Sequence, residues 1–130
     1  MFWSRCCATI PLDNYTKFYI ITSVKPLKFS GSVLDDLRDF PAEARREAGF
    51  ELYNVQIGVN PSDWKPMPSI GSGVREIRIH ERGEYRVVYI AKFEEAVYVL
   101  HAFQKKTQKT RQSDIEIAKA RYKDIGRKLL

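Results

Sequence analysis

The chain has 130 residues, 44% of them hydrophobic and 12% aromatic, which suits one domain with one core and argues against disorder. Its 22 Lys and Arg against 16 Asp and Glu give a formal charge of +6, an excess that favours a polyanionic partner. No run approaches the roughly 20 apolar residues that cross a bilayer. The expectation is therefore a soluble, cytoplasmic protein with no membrane partner. Cys6 and Cys7 are adjacent and too few for a zinc site or a disulfide scaffold, so they read as inert thiols of a reducing compartment.

Residues 1–24 read differently from the rest. Lys17–Val24 (KFYIITSV) is strand-like, but Pro11 and the Asp13–Asn14 pair precede it and nothing caps it. An N-terminal extension without function is expected here, ahead of one domain over 25–130. Pro26–Phe29 reads as a short strand. Ser32 offers an N-cap for a helical turn through Val33, Leu34 and Leu37, and Asp39-Phe40-Pro41 restarts the helix. Ala44, Ala48, Leu52, Val55 and Val59 then recur at spacings of 4, 4, 3 and 4, the stripe of an amphipathic helix ended by Gly58 and Pro61. This predicts a helical hairpin, or one broken helix, from about 32 to 59.

Two prolines and two glycines make Ser62–Gly73 a loop. Val74–His80 alternates, with Glu76, Arg78 and His80 on one face and Arg75, Ile77 and Ile79 on the other. Gly83 marks a hairpin turn. Tyr85–Ala91 and Ala96–Phe103 are rich in β-branched and aromatic residues and complete an antiparallel meander. Ser113 and Glu116 have capping-box spacing, and Ile115, Ala118, Tyr122, Ile125 and Leu129 form the buried stripe of a last helix. The predicted class is α+β, with an N-terminal helical hairpin on a small antiparallel sheet and a C-terminal helix.

Between Lys65 and Arg111 the chain carries ten basic and five acidic residues, so +5 of the charge lies in that segment. Arg78, Arg86, His101, Lys105 and Lys106 occur on successive meander strands or at their ends and can converge on one sheet surface. Such cations suit a phosphodiester, on whose nonbridging oxygens charge builds in the transition state. Phe103 is placed to stack a base, and Lys65, Arg75, Lys109 and Arg111 to hold the strand. The plainer reading makes the arginines solvated sheet positions satisfied by Glu76, Glu81 and Glu84. Lys119, Arg121, Lys123, Arg127 and Lys128 read as the solvated face of the last helix.

KPMPSIGSGVREIRI at 65–79, YRVVYIAKFEEAVYVLHAFQKKTQKT at 85–110 and DIEIAKARYKDI at 114–125 together resemble the phage-derived branch of the RelE/HigB toxin superfamily. The likeness spans roughly residues 25–126, and its HAFxKKT run is specific. It implies a ribosome-dependent messenger RNA endonuclease that needs no metal or other cofactor, paired with a helix-turn-helix antitoxin. In such a member the 2′-hydroxyl attacks the adjacent phosphate. By position, Arg86 would steady the phosphorane, Arg78 would clamp, and His101 or Lys106 would donate a proton. The chain lacks the C-terminal tyrosine some members use as a base, and it has Glu76 where others carry a second basic residue of the first strand. Two further readings stand beside this one: a non-catalytic binder of RNA or antitoxin, and a DNA-binding regulator acting through the last helix.

Overall fold

The computed structural model describes residues 24–129, of Leu129 the backbone alone; the expected extension and its two cysteines lie outside the described residues. Eight elements follow one another: β1 (Leu27–Phe29), α1 (Val33–Arg38), α2 (Ala42–Gln56), β2 (Trp64–Pro66), β3 (Val74–His80), β4 (Glu84–Ile90), β5 (Val97–Lys105) and α3 (Gln112–Leu129). The strands form one sheet in the order β1-β5-β4-β3-β2. β1 runs parallel to β5, and every other pairing is antiparallel. The α+β class and the meander are as expected.

Each face of the sheet carries its own core because residues alternate along the strands. On one face, Ile77, Ile79, Tyr85, Val87, Tyr89, Val97 and Val99 meet Val33, Leu37, Ala44, Ala48, Leu52 and Val55 of α1 and α2. On the other, Val74, Val88, Ile90 and Leu100 meet Ala118 and Ile125 of α3 and Met67 and Ile70 of the β2–β3 loop. α3 crosses only part of this second face. Its C-terminal half lies near the start of β3, where the Tyr122 hydroxyl donates to the Ser72 carbonyl at 3.4 Å. Its first turn reaches no further than His101. Among the described residues no helix covers the end of the sheet at the β3–β4 hairpin.

Four local expectations are corrected. The helical stripe stops short of Val59, because α2 ends at Gln56. Gly58 (φ +88°) turns the chain there, Gly58 N–H donates to Val55 and Val59 N–H to Asn54, and Val59 is left half-exposed. The loop over 62–73 contains a strand, β2, whose Pro66 is tolerated because β2 is an edge. α3 starts one residue before Ser113, so the capping box does not form. The Arg111 carbonyl accepts from Asp114 and Ile115, while Gln112 bonds Glu116 at 2.7 Å. Arg121 is not simply solvated: it donates to the Leu100 carbonyl at 2.9 Å and ties α3 to β5.

Candidate functional site

Register decides which charges meet. Arg78 and Arg86 are direct partners across β3 and β4, Arg86 is opposite Phe103 of β5, and Glu84 is opposite Lys105. Lys65 of β2 is opposite Glu76. Directly opposed residues share a face, so Lys65, Glu76, Arg78, Glu84, Arg86, Phe103 and Lys105 line the half of the sheet that α3 leaves open. His101 joins them through a register shift between Val88 and Tyr89: Val88 pairs with His101 and Tyr89 with Val99. Leu100 is the extra residue, and this bulge turns both Leu100 and His101 toward α3.

The two arginines are already engaged. Arg86 is 7% exposed, and its Nη1 donates to Glu84 Oε1 at 3.0 Å and to the Tyr85 carbonyl at 3.1 Å. Its Nε faces Glu76 Oε1 at 3.7 Å, and the Arg78 Nε faces the same oxygen at 3.9 Å. Those two separations exceed the 2.7–3.2 Å range of N–H···O hydrogen bonds, so charge rather than hydrogen bonding holds the trio. Glu76 itself is 1% exposed. Five buried side-chain polar atoms lack a hydrogen-bond partner among the described residues, and three of them, Glu76 Oε2, Arg78 Nε and Arg86 Nε, are here. Leaving such groups unpaired costs about 1–3 kcal/mol each.

A second shell of acid continues outward. His80, at the end of β3, bonds Glu84 Oε2 through Nδ1 at 2.7 Å and Asp63 Oδ2 through Nε2 at 2.8 Å. Hydrogen bonds to Glu84 first, then Asp63, raise the His80 pKa above its ordinary value. The same bond, chiefly, and then that from Arg86 lower the Glu84 pKa. His101 is held from the other side. Its Nε2 lies 2.8 Å from Asp114 Oδ1 of α3, its ring stacks on Phe103 with centroids 5.2 Å apart, and its buried Nδ1 has no partner.

Of the residues singled out from sequence, the open face thus gathers Arg78, Arg86, Phe103, Lys105 and Lys65, with His101 at its inner wall. Lys106, Lys109 and Arg111 lie at its rim, in the β5–α3 loop and exposed. Arg75 is elsewhere. It sits on the α2 face, its guanidinium 4.2 Å above the Trp64 ring and bonded to Asn60 at 3.2 Å. Glu84, Asp63 and Asp114 were given no functional part by sequence, since nothing along one strand says which acid a cross-strand neighbour will meet. No group of three His, Cys, Asp or Glu side chains suited to a metal ion occurs among the described residues. No helix among them is long and apolar enough to cross a membrane.

A five-stranded sheet with helices on both faces and an open arginine-bearing half defines a RelE-like fold. Among solved structures it resembles Escherichia coli toxin RelE, a double arginine-to-alanine mutant in the free state, at 17% identity and a TM-score of 0.56 over 78% of this chain and 98% of that one. The family model for phage derived protein Gp49-like matches residues 35–123, and the chain belongs to that family. Curated proteins include no sequence match.

Proposed function

We propose that the protein is the toxin of a toxin–antitoxin pair and acts in the cytoplasm as an endoribonuclease on messenger RNA at the ribosome. The observation that carries this reading is the facing pair Arg78 and Arg86 on the uncovered half of a RelE-like sheet, flanked by Phe103 and Lys105. In the proposed reaction the 2′-hydroxyl attacks the adjacent phosphorus as its proton leaves to a base. A bond from O2′ to phosphorus forms, the bond to O5′ breaks, and O5′ takes up a proton. The products are a 2′,3′-cyclic phosphate and a 5′-hydroxyl. Arg86 and Arg78 neutralise the charge that grows on the nonbridging oxygens. Lys105, half-buried on the site face, is the proton donor nearest in register, and Lys106 follows at the rim. Phe103 stacks a base beside the scissile phosphate. A cognate antitoxin with a helix-turn-helix domain neutralises the protein.

Inducing the chain alone should arrest bacterial growth, and Arg86→Ala should relieve the arrest at equal expression. A second reading, a member that binds RNA or antitoxin without cutting, draws on the near burial of Arg86 and its pairing with Glu84 and Glu76. Unimpaired growth at confirmed expression of the native chain would favour it.

A further inference from the structure

We infer that Glu84 is a built-in competitor for the phosphate at Arg86, so that the site refuses small anions and admits only a strand carrying several phosphates. The inference rests on the reading of Arg86 as a phosphate binder and specifies what that binder accepts. Arg86 meets Glu84 through a single nitrogen, with Nη1 3.0 Å from Oε1. A phosphate that takes this nitrogen must first break that charge-assisted bond.

Glu84 is built to be displaced and to return. It holds Arg86 through Oε1 and His80 through Oε2, so the carboxylate can leave the arginine while keeping the imidazole. Its side chain is 43% exposed, and movement at that surface is cheap. Like any ordinary glutamate it is charged, and therefore competing, at neutral pH. Glu76, by contrast, is buried against the same arginine and has no such freedom.

A lone phosphate gains little that would offset the displacement. A strand gains more. The side chains of Lys105, Lys106, Lys109 and Arg111 make no ion pair with any described residue. Three of them stand exposed between the end of β5 and the start of α3. Phosphates on either side of the scissile one can engage these cations while the central one evicts Glu84.

The test uses the full chain and two uncleavable probes, a deoxydinucleotide and an oligodeoxynucleotide of about a dozen nucleotides, a length within the usual single-strand site sizes. Binding is followed by calorimetry at fixed salt. Glu84→Gln should bind both probes about tenfold tighter than the native protein, about 1.4 kcal/mol. The factor should be shared because the cost of freeing Arg86 is shared. Glu81→Gln, which removes a charge from the same hairpin away from Arg86, should gain less than about twofold, consistent with the small effect of one exposed charge. Glu84→Ala should reproduce the gain, and Glu84→Gln combined with Arg86→Ala should bind no tighter than Arg86→Ala alone. A merely structural Glu84 predicts weaker binding in both Glu84 variants, and that result, or no change, overturns the inference. If Arg86→Ala loses the oligonucleotide while Glu84→Gln gains nothing, the phosphate-binding reading survives without the competitor. If Arg86→Ala binds as the native protein does, both fail.

Discussion

At His80 two carboxylates bracket one imidazole, Glu84 on Nδ1 and Asp63 on Nε2, and both bonds favour the protonated ring. Such a group contributes stability that is complete below the ordinary histidine pKa of about 6.5 and is lost as pH rises through the higher folded value. Glu84 has the opposite sign: its lowered pKa contributes above the ordinary carboxylate range and fails as pH falls through the folded value. Both contributions therefore coexist at mildly acidic pH. His80→Gln should cost most melting temperature near pH 6, and the deficit should shrink steadily toward pH 9, as thermal unfolding across that range would show. A deficit that grows with pH would contradict the bracketed, protonated ring. His101 differs. Its Nε2 is committed to Asp114 on the first turn of α3 and both partners are mostly buried, so Asp114→Ala strands a buried N–H. The expected loss is about 1–3 kcal/mol by denaturant titration. His101→Gln should destabilise to a similar degree, and a loss of RNA cleavage at unchanged stability would instead point to the ring as a proton donor. The meander order already suggested that Arg78 and Arg86 can converge on one sheet surface. That Glu84 and Asp63 converge on His80, and that a bulge brings His101 under α3, are matters of cross-strand register, which no single strand encodes.

Among the elements, those with strong periodicity were the legible ones. β3 ends where its alternation ends, at Val74 and His80, and the stripe Ala44, Ala48, Leu52, Val55 names the buried face of α2. The chain break between α1 and α2 was marked by Phe40-Pro41, since Pro41 can only begin a helix. β2 went unseen because three residues give no alternation to read, and the prolines and glycines around it speak for a loop. One of those glycines has a structural duty visible only in three dimensions. A Cβ on Gly71 would lie 2.5 Å from the Tyr122 ring, so the β2–β3 loop and α3 touch there without room for a methyl group. Gly71→Ala should force α3 outward and destabilise by about 1–3 kcal/mol, the usual cost of overpacking. Combined with Tyr122→Leu, which clears the space, the two changes should cost less than their sum. Strict additivity in a double-mutant cycle would show that loop and helix are not in contact.

For the whole molecule, charge placement is what fits a small sheet to the proposed RNA substrate. The excess between Lys65 and Arg111 was legible as a count, but the fold divides it. Arg75 goes to the α2 face and stacks on Trp64, Arg78 and Arg86 are balanced by Glu76 and Glu84, and four cations without an ion pair among the described residues, Lys105, Lys106, Lys109 and Arg111, gather at the β5–α3 rim. On the proposed reading the rim holds the flanking backbone and the arginine pair takes the scissile phosphate. If Lys105, Lys106, Lys109 and Arg111 each neutralise one phosphate, the logarithm of single-strand affinity should fall with the logarithm of salt at a slope of about −3, at about −0.7 per contact. Lys109→Ala with Arg111→Ala should flatten that slope by about 1.4 while leaving the rate of bound strand cleavage near native, because both stand exposed in the β5–α3 loop with no part in the proposed chemistry. Arg86→Ala should do the reverse, with a small change in slope and a large loss of rate. The cleavage itself should persist in EDTA, since the proposed reaction draws its positive charge from the Arg78 and Arg86 guanidinium groups. Identical slopes in the native protein and the rim double variant would mean that the strand lies elsewhere on the sheet, and the uncovered face would then need another occupant.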